Sequence, residues 1–438
     1  MSSLRTSAER LFKLSAHHTD WRTETIAGLT TFVTMLYVLV VVPGILEEGG
    51  MPKGPITVAV ILMTGLTTIA MGFFSNRPFA LAPGLGSVAF LAVTLVSTEH
   101  IPWQTAMGMV FISGILFLLF TILGLRKLIV RLMPPAIKLS IGAGVGLFIA
   151  LIGFRNAGLV VASESSNSLT LGDIGSPNAI LALLGFLIMS VLLARKTRGH
   201  LLIGIVVTTL IGIPMGITEL PSSIFSLPES VAPIVMQLNI SDAIQLAYFP
   251  FILAFFVPDF FSTLGTLLGV ASKGGMLDKD GNLPQIDRPF LVDASGTTLG
   301  SLLSVPVITT YVESAAGVEA GGRTGLTAVT TGLLFLSTLF VTPLIMIIPK
   351  EATAPALILI GLMMLSSVQN VNFGDATESL PAFMTIVVTI FTFNFGNGIA
   401  AGIIAFVLVK SLSGRHKEVH PGLYVLLIPL ILYFVTLA

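Results

Sequence analysis

Two carboxylates stand out in a chain that is otherwise close to hydrocarbon. Glu313 lies in Thr309-Thr310-Tyr311-Val312-Glu313-Ser314-Ala315-Ala316-Gly317, a short segment that follows Pro306. A charge at the centre of a bilayer costs about 2.5–3.5 kcal/mol on insertion scales, so a carboxylate there marks a functional site by default. Asp259 is the second acid. With Ser262, Thr263 and Thr266 it forms an i, i+3, i+4, i+7 series, which puts all four on one helical face. Serine and threonine alone would read as helix-to-helix hydrogen bonding. The added aspartate makes the face a cavity lining. The chemistry on offer is hydrogen bonding to a polar solute and proton exchange. All six histidines, at 17, 18, 100, 200, 416 and 420, fall in loops or at span ends. A proton-coupled mechanism would therefore run through Glu313 or Asp259.

The elements that position these residues are membrane spans. Of 438 residues 54% are hydrophobic and 10% charged, against about 25% charged in soluble domains. That composition excludes an ordinary soluble enzyme. Apolar runs near 25–46, 55–75, 87–97, 103–124, 137–156, 178–194, 200–217, 246–271, 290–304, 314–322, 326–348, 353–369, 380–395, 397–411 and 421–437 predict an all-α polytopic membrane protein. Basic residues (Arg10, Lys13, Arg22, Arg77, Arg126, Lys127, Arg131, Arg195, Lys196, Arg198, Lys273, Lys279, Arg323, Arg415, Lys417) alternate with acidic loops (Glu47, Glu48, Glu99, Glu164, Asp173, Glu219, Glu229, Asp242). Fourteen spans with a cytoplasmic N-terminus fit this alternation, and the apolar stretch 421–437 stands as a fifteenth segment. Residues 1–22 lack the apolar region of a signal peptide. Zero cysteines exclude disulfides and thiolate chemistry.

Two segments are too short to span as helix alone. Ala82-Pro83-Gly84-Leu85-Gly86-Ser87 and Val305-Pro306-Val307-Ile308-Thr309-Thr310 each set a proline before a truncated helix, about half the chain apart. Paired broken segments in two halves are the best sequence pointer to a transporter's binding site. The helix starts at Ser87-Val88 and Ser314 would turn their positive ends to a solute. Two helix ends and two carboxylates suit a flat polar heterocycle with donors and acceptors.

Other features point elsewhere. Gly142-Ala143-Gly144-Val145-Gly146 sits inside an apolar span with no preceding strand, so it reads as close helix packing, not a nucleotide loop. Arg323 reads as an anchor at the cytoplasmic end, and Asp375 and Glu378 as interfacial. No HExxH, Walker or Ser-His-Asp pattern is present, so no catalytic residue, metal or cofactor is expected.

These residues resemble a known family, the AzgA-like purine permeases of the nucleobase–cation symporters, a group that includes bacterial uracil and xanthine permeases. The resemblance runs almost end to end. It is carried by Arg22-Thr23-Glu24-Thr25-Ile26-Ala27-Gly28-Leu29-Thr30-Thr31-Phe32, Ala80-Leu81-Ala82-Pro83-Gly84 and Tyr311-Val312-Glu313-Ser314-Ala315-Ala316-Gly317, and by Gly321-Gly322-Arg323-Thr324-Gly325-Leu326-Thr327-Ala328-Val329 and Glu378-Ser379-Leu380-Pro381-Ala382-Phe383.

The resemblance implies a 7+7 inverted repeat in which spans 3 and 10 are the broken pair. A core domain would comprise 24–125 (spans 1–4) and 246–348 (spans 8–11), and a gate domain 126–220 (spans 5–7) and 349–412 (spans 12–14). Residues 1–23 would be a cytoplasmic segment and 413–438 a C-terminal apolar segment. It implies import of adenine, guanine or hypoxanthine across a bacterial cytoplasmic membrane by proton symport and elevator-type movement, often as a homodimer, with no nucleic-acid partner. Glu313 matches the substrate-binding glutamate, and Gly86, Ser87 and Val88 the substrate-facing end of span 3. Val312, Ser314, Thr34, Ser262, Thr263 and Asp259 complete the expected site, with Phe90 and Phe260 available to stack on the base. Two positions depart from the pattern, Ser262 where an aspartate is usual and Val88 where an asparagine is usual. Small-anion transport on the same fold, or transport of xanthine or uracil, is the alternative.

Overall fold

The computed structural model of the protein describes residues 9–125, 132–162, 169–221, 223–279, 282–392 and 394–437. Arg126, Lys127, Arg131 and Glu164 lie outside the described residues. Eight helices among those described are long and apolar enough to cross a membrane, and four shorter apolar helices join them.

The first apolar run is two helices, α1 (Trp21–Met35) and α2 (Val38–Glu48), interrupted at Leu36-Tyr37. Asp20 caps α1 by accepting from the Arg22 and Thr23 amides at 2.8 and 3.0 Å. Then follow α3 (Lys53–Ser75), strand β1 (Leu81–Pro83), and the five-residue α4 (Leu85–Ala89), which continues as a π-helix over Phe90–Thr98. π-Helical winding of this length is rare and gathers at functional sites. Next come α5 (Trp103–Ile122), α6 (Pro135–Asn156), a hairpin of β2 (Val160–Ala162) and β3 (Leu169–Leu171), α7 (Pro177–Ala194) and α8 (His200–Gly212).

The second half opens with α9 (Phe249–Lys273) and α10 (Asp287–Leu302). It continues through β4 (Ile308–Thr310), the six-residue α11 (Ser314–Glu319) and α12 (Gly325–Ser337). Beyond α13 (Thr342–Met346) lie α14 (Lys350–Leu365), α15 (Ala376–Phe391), α16 (Phe395–Leu412) and α17 (Pro421–Leu437), the last packed along α16.

The two broken segments meet. β1 and β4 pair antiparallel with Leu81 opposite Thr310, Ala82 opposite Thr309 and Pro83 opposite Ile308. Exposed strand backbone is costly in an apolar interior, and each strand receives the same remedy. Thr68 of α3 accepts from the Leu81 N–H at 2.9 Å and donates to the Leu81 carbonyl at 3.1 Å. Thr297 of α10 does the same for Ile308, with both bonds at 3.0 Å. Both threonines are fully buried. The repeat that the sequence shows only as two prolines thus reappears as two matching hydroxyl clamps.

Helix packing falls mainly into two groups. One joins α1 and α3 with α12, α5 with α9 and α10, and α1 with α11; the other joins α6 with α14 and α15, α7 with α8, and α15 with α16. Glycines allow the backbones to touch. A Cβ on Gly325 would lie 1.9 Å from the Gly72 carbonyl oxygen, and one on Gly361 2.4 Å from that of Gly146. The Gly142–Gly146 stretch is therefore a packing surface, as its sequence indicates.

Glu24 explains the length of the Arg22–Phe32 and Gly321–Val329 motifs. It is fully buried and accepts from the Arg323, Thr324 and Thr327 amides at 2.8, 3.2 and 3.2 Å and from the Thr327 hydroxyl at 2.6 Å. One carboxylate so caps the start of α12 from α1. Arg323, expected as an anchor, is half-buried and donates to the Val318 and Gly322 carbonyls, each at 2.7 Å. It thereby closes the end of α11.

Candidate functional site

Glu313 sits where the chain leaves β4 and enters α11. Its Oε1 accepts a hydrogen bond of 2.7 Å from the Tyr37 hydroxyl. Tyr37 lies in the break between α1 and α2 and is 1% exposed. Sequence reasoning missed it, because nothing local marks the interruption at Leu36-Tyr37. Tyr311 Oη donates to the Pro83 carbonyl at 2.5 Å and Ser314 Oγ accepts from the Ala80 amide at 3.0 Å. Both ties bind the Glu313 turn to the opposite broken segment. Ser314 is fully buried and serves this structural bond, whereas Val312 is 55% exposed.

The Asp259 face divides. Asp259 and Thr263, one turn apart, point into the protein at 3% and 0% exposure. Ser262 is exposed and Thr266 half-exposed. Thr263 donates to Asp293 Oδ2 at 2.7 Å and shares a 2.9 Å bond with Thr309; Thr310 donates to Asp293 Oδ2 at 3.1 Å. Asp293 of α10, fully buried, was not anticipated. The rule that singled out Glu313 applies equally to Leu291-Val292-Asp293-Ala294 and would have found it. Around Ser262 the open side of α9 continues through Gly265, Gly269 and Ser272, all exposed and without an apolar side chain.

The first broken segment contributes backbone more than side chain. Ser87 is 7% exposed and Val88 fully buried. Gly86 abuts α6, where a Cβ would meet Val145 Cγ1 at 2.4 Å. Thr34 is half-buried, with its hydroxyl donating to the Thr30 and Thr31 carbonyls at 3.1 and 2.8 Å.

The two expected stacking rings are elsewhere. Phe90, fully buried, packs edge-on against Phe255 and Phe251 with centroids 5.1 and 6.2 Å apart. Phe260, 1% exposed, packs with Phe117, Phe256 and Phe290. Both rings belong to the aromatic core and face no open space. Phe261 is the half-buried ring beside Ser262, and Lys138 of α6 holds its ammonium 5.3 Å from that ring's centroid.

The arrangement offers one carboxylate at the edge of open space, held by a tyrosine, and a buried acid pair behind the strand that carries it. Among the described residues no group of three metal-ligating side chains occurs.

Spanning helices, two crossed broken segments and buried acids beside the crossing define a multi-pass membrane protein of the broken-helix kind. The chain matches the model of the Xan_ur_permease permease family over residues 22–403 and belongs to that family. It is 44% identical over 430 residues to a putative permease of Methanocaldococcus jannaschii, covering 98% of each chain. It is 39% identical over 411 residues to the adenine permease AdeQ of Escherichia coli, covering 94% of this chain and 92% of that one. Against the guanine/hypoxanthine permease PbuO of Bacillus subtilis it is 38% identical over 434 residues, covering 98% and 99%. Among solved structures, the transmembrane domain of the cyanobacterial bicarbonate transporter BicA superposes with a TM-score of 0.65 at 17% identity, over 87% of this chain and 97% of that one. That likeness shows the fold.

Proposed function

We propose that this protein imports a purine nucleobase across the bacterial cytoplasmic membrane by proton symport, with Glu313 hydrogen-bonding the ring edge. The observation that carries the reading is the near full-length match to adenine and guanine/hypoxanthine permeases, together with a carboxylate at the crossing of two broken segments. Asp259, Thr263, Ser262, Thr34, Val312, Ser314 and the Gly86–Val88 backbone are the residues we assign to the site and its walls.

The two packing groups support a core of spans 1–4 and 8–11 moving against a gate of spans 5–7 and 12–14. In that scheme the domains are 24–125 with 246–348 and 126–220 with 349–412, fourteen spans form two inverted sevens, and the N-terminus is cytoplasmic. The stripe Ser262, Gly265, Gly269, Ser272 suits water and not lipid, and supports an aqueous approach from the Lys273 end of α9. A homodimer is part of the same reading.

The likeness to BicA keeps small-anion transport as the second reading. Three buried or half-buried carboxylates (Glu313, Asp259, Asp293) argue against it, since an anion site avoids like charge. The test is uptake of labelled adenine, guanine, hypoxanthine, xanthine and uracil in a nucleobase-transport-deficient cell, with bicarbonate and sulfate as competitors. Saturable purine uptake abolished by a protonophore is the expected result. No purine uptake, or competition by the anions alone, would overturn it.

A further inference from the structure

Behind β4 lie two acids, Asp259 and Asp293, and among the described residues neither has an ion-pair partner. They are 3% and 0% exposed, and Thr263, one turn on from Asp259, donates to Asp293 Oδ2 at 2.7 Å. Four threonine hydroxyls adjoin them, and each has one proton to give. Thr263 and Thr310 direct theirs to Asp293 Oδ2. Thr297 is committed to the Ile308 carbonyl. Thr309 shares a 2.9 Å bond with Thr263 in which either hydroxyl can donate. Both oxygens of Asp259, and Asp293 Oδ1, lack a hydrogen-bond partner.

Two ionised carboxylates in that setting combine mutual repulsion with lost hydration. A proton held by the pair removes one of the two charges and supplies a donor where three carboxylate oxygens have none. Among the described residues the charged groups of the neighbouring elements are these. Along α5 there is no titratable side chain, and α3 has only Lys53 at its start. On α16, Lys410 lies at the far end in its own ion pairs. On α6, Lys138 sits over Phe261. Across β4 stand Tyr311, bound to Pro83, and Glu313, bound to Tyr37.

We propose that Asp259 and Asp293 hold one shared proton, and that this pair, in place of Glu313, is the proton carrier of the transport cycle. The proposal rests on the proton-symport reading above. Loading forms one O–H bond and takes the pair from two negative charges to one; unloading returns that proton to water. The link to substrate is mechanical and short. Thr309 and Thr310, whose hydroxyls belong to the pair's network, precede Glu313 on the same strand and turn, so the charge of the pair bears on the segment that presents Glu313.

The test uses full-length protein in lipid vesicles with labelled adenine, guanine and hypoxanthine in turn. An imposed pH gradient in sodium-free buffer drives accumulation, and exchange of each purine for itself is measured at equal pH. Asp293→Asn is expected to lower the ratio of driven accumulation to exchange by about ten-fold or more, while Glu313→Gln lowers both together. Infrared difference spectra of the unmodified protein supply a readout that needs no variant to fold. A protonated-carboxyl band sensitive to D2O is expected, and Asp259→Asn should remove it while Glu313→Gln leaves it. Unaltered gradient-driven accumulation in Asp293→Asn, absence of the carboxyl band, or a requirement for sodium overturns the shared proton. Unmodified protein that exchanges a purine but ignores a pH gradient overturns symport itself, and exchange of none of adenine, guanine and hypoxanthine overturns the purine reading.

Discussion

The Tyr37 hydroxyl donates a 2.7 Å hydrogen bond to Glu313 Oε1, joining the interruption between α1 and α2 to the start of α11. Two chain breaks from opposite halves of the sequence are thereby fixed against each other at the acid we assign to substrate. A donor to a charged acceptor contributes about 1.5–3 kcal/mol. Tyr37→Phe keeps the buried ring and removes only that donor, so the apparent KM for the nucleobase taken up should rise about ten-fold with a smaller change in maximal rate. Glu313→Gln should cost at least as much. Glu313→Ala removes the acceptor altogether, and adding Tyr37→Phe to it should cost no more, because the two residues act through one bond. Unchanged KM in Tyr37→Phe would show that the bond does not position Glu313.

Glu24 satisfies three amides and one hydroxyl at the head of α12. Alanine there leaves buried donors without a partner, each costing about 1–3 kcal/mol. Glu24→Ala should lower the melting temperature in detergent markedly, and Glu24→Gln, which keeps one acceptor oxygen, by less. Equal melting of Glu24→Ala and the unmodified protein would contradict the cap.

The seam between α3 and α12 admits no side chain at Gly325, where a Cβ would lie 1.9 Å from the Gly72 carbonyl oxygen. Gly325→Ala must push two helix backbones apart and should greatly reduce the yield of folded protein. Gly265→Ala is the matched control, since nothing lies within 4 Å of a Cβ there. Size-exclusion profiles of the two variants decide the point, and similar profiles would refute the seam.

At the C-terminal end, Arg415 pairs with Asp375 and Glu418 at 2.6 Å each, and the buried Lys410 pairs with Glu378 and Glu418 at 2.7 Å. Asp375 and Glu378, expected to be interfacial, are thus held in ion pairs. The Arg415 guanidinium holds Asp375 well below the usual carboxylate range and, with Lys410 second, holds Glu418 down at about 2. Folded-state pKa values below the unfolded ones contribute stability that is present above the ordinary carboxylate pKa and lost as pH falls through the folded value. The melting temperature should therefore decline between roughly pH 4.5 and 2, and Arg415→Ala should flatten that decline. The effect is small because these groups are partly exposed and screened. An identical acid limb in Arg415→Ala would exclude the cluster as its source.

Much of the fold was legible in residue order. Apolar run length marks the helices, and Pro83 and Pro306 mark the two broken segments, because proline and the lack of an amide donor act locally. Glu313 was legible for the same kind of reason, since a carboxylate in an apolar run is costly wherever the run folds. The break at Leu36-Tyr37 was not, because it has no proline or glycine to announce it. Phe90 and Phe260 were assigned to the site on residue type alone. Their place in the aromatic core depends on rings from α5, α9 and α10 that are distant in sequence.

What the sequence alone determined was a helical membrane protein with paired broken segments, an acid at the second break and the family its motifs resemble. Each of these follows from local composition or from contiguous residues. Only the tertiary structure decided the company those residues keep. Tyr37 reaches Glu313, Thr68 and Thr297 clamp the crossed strands, and Thr263 and Thr310 tie Asp293 to α9 and β4. Hydrogen bonds are directional and short, so partners separated by tens or hundreds of residues are chosen by how helices cross, which no local pattern records.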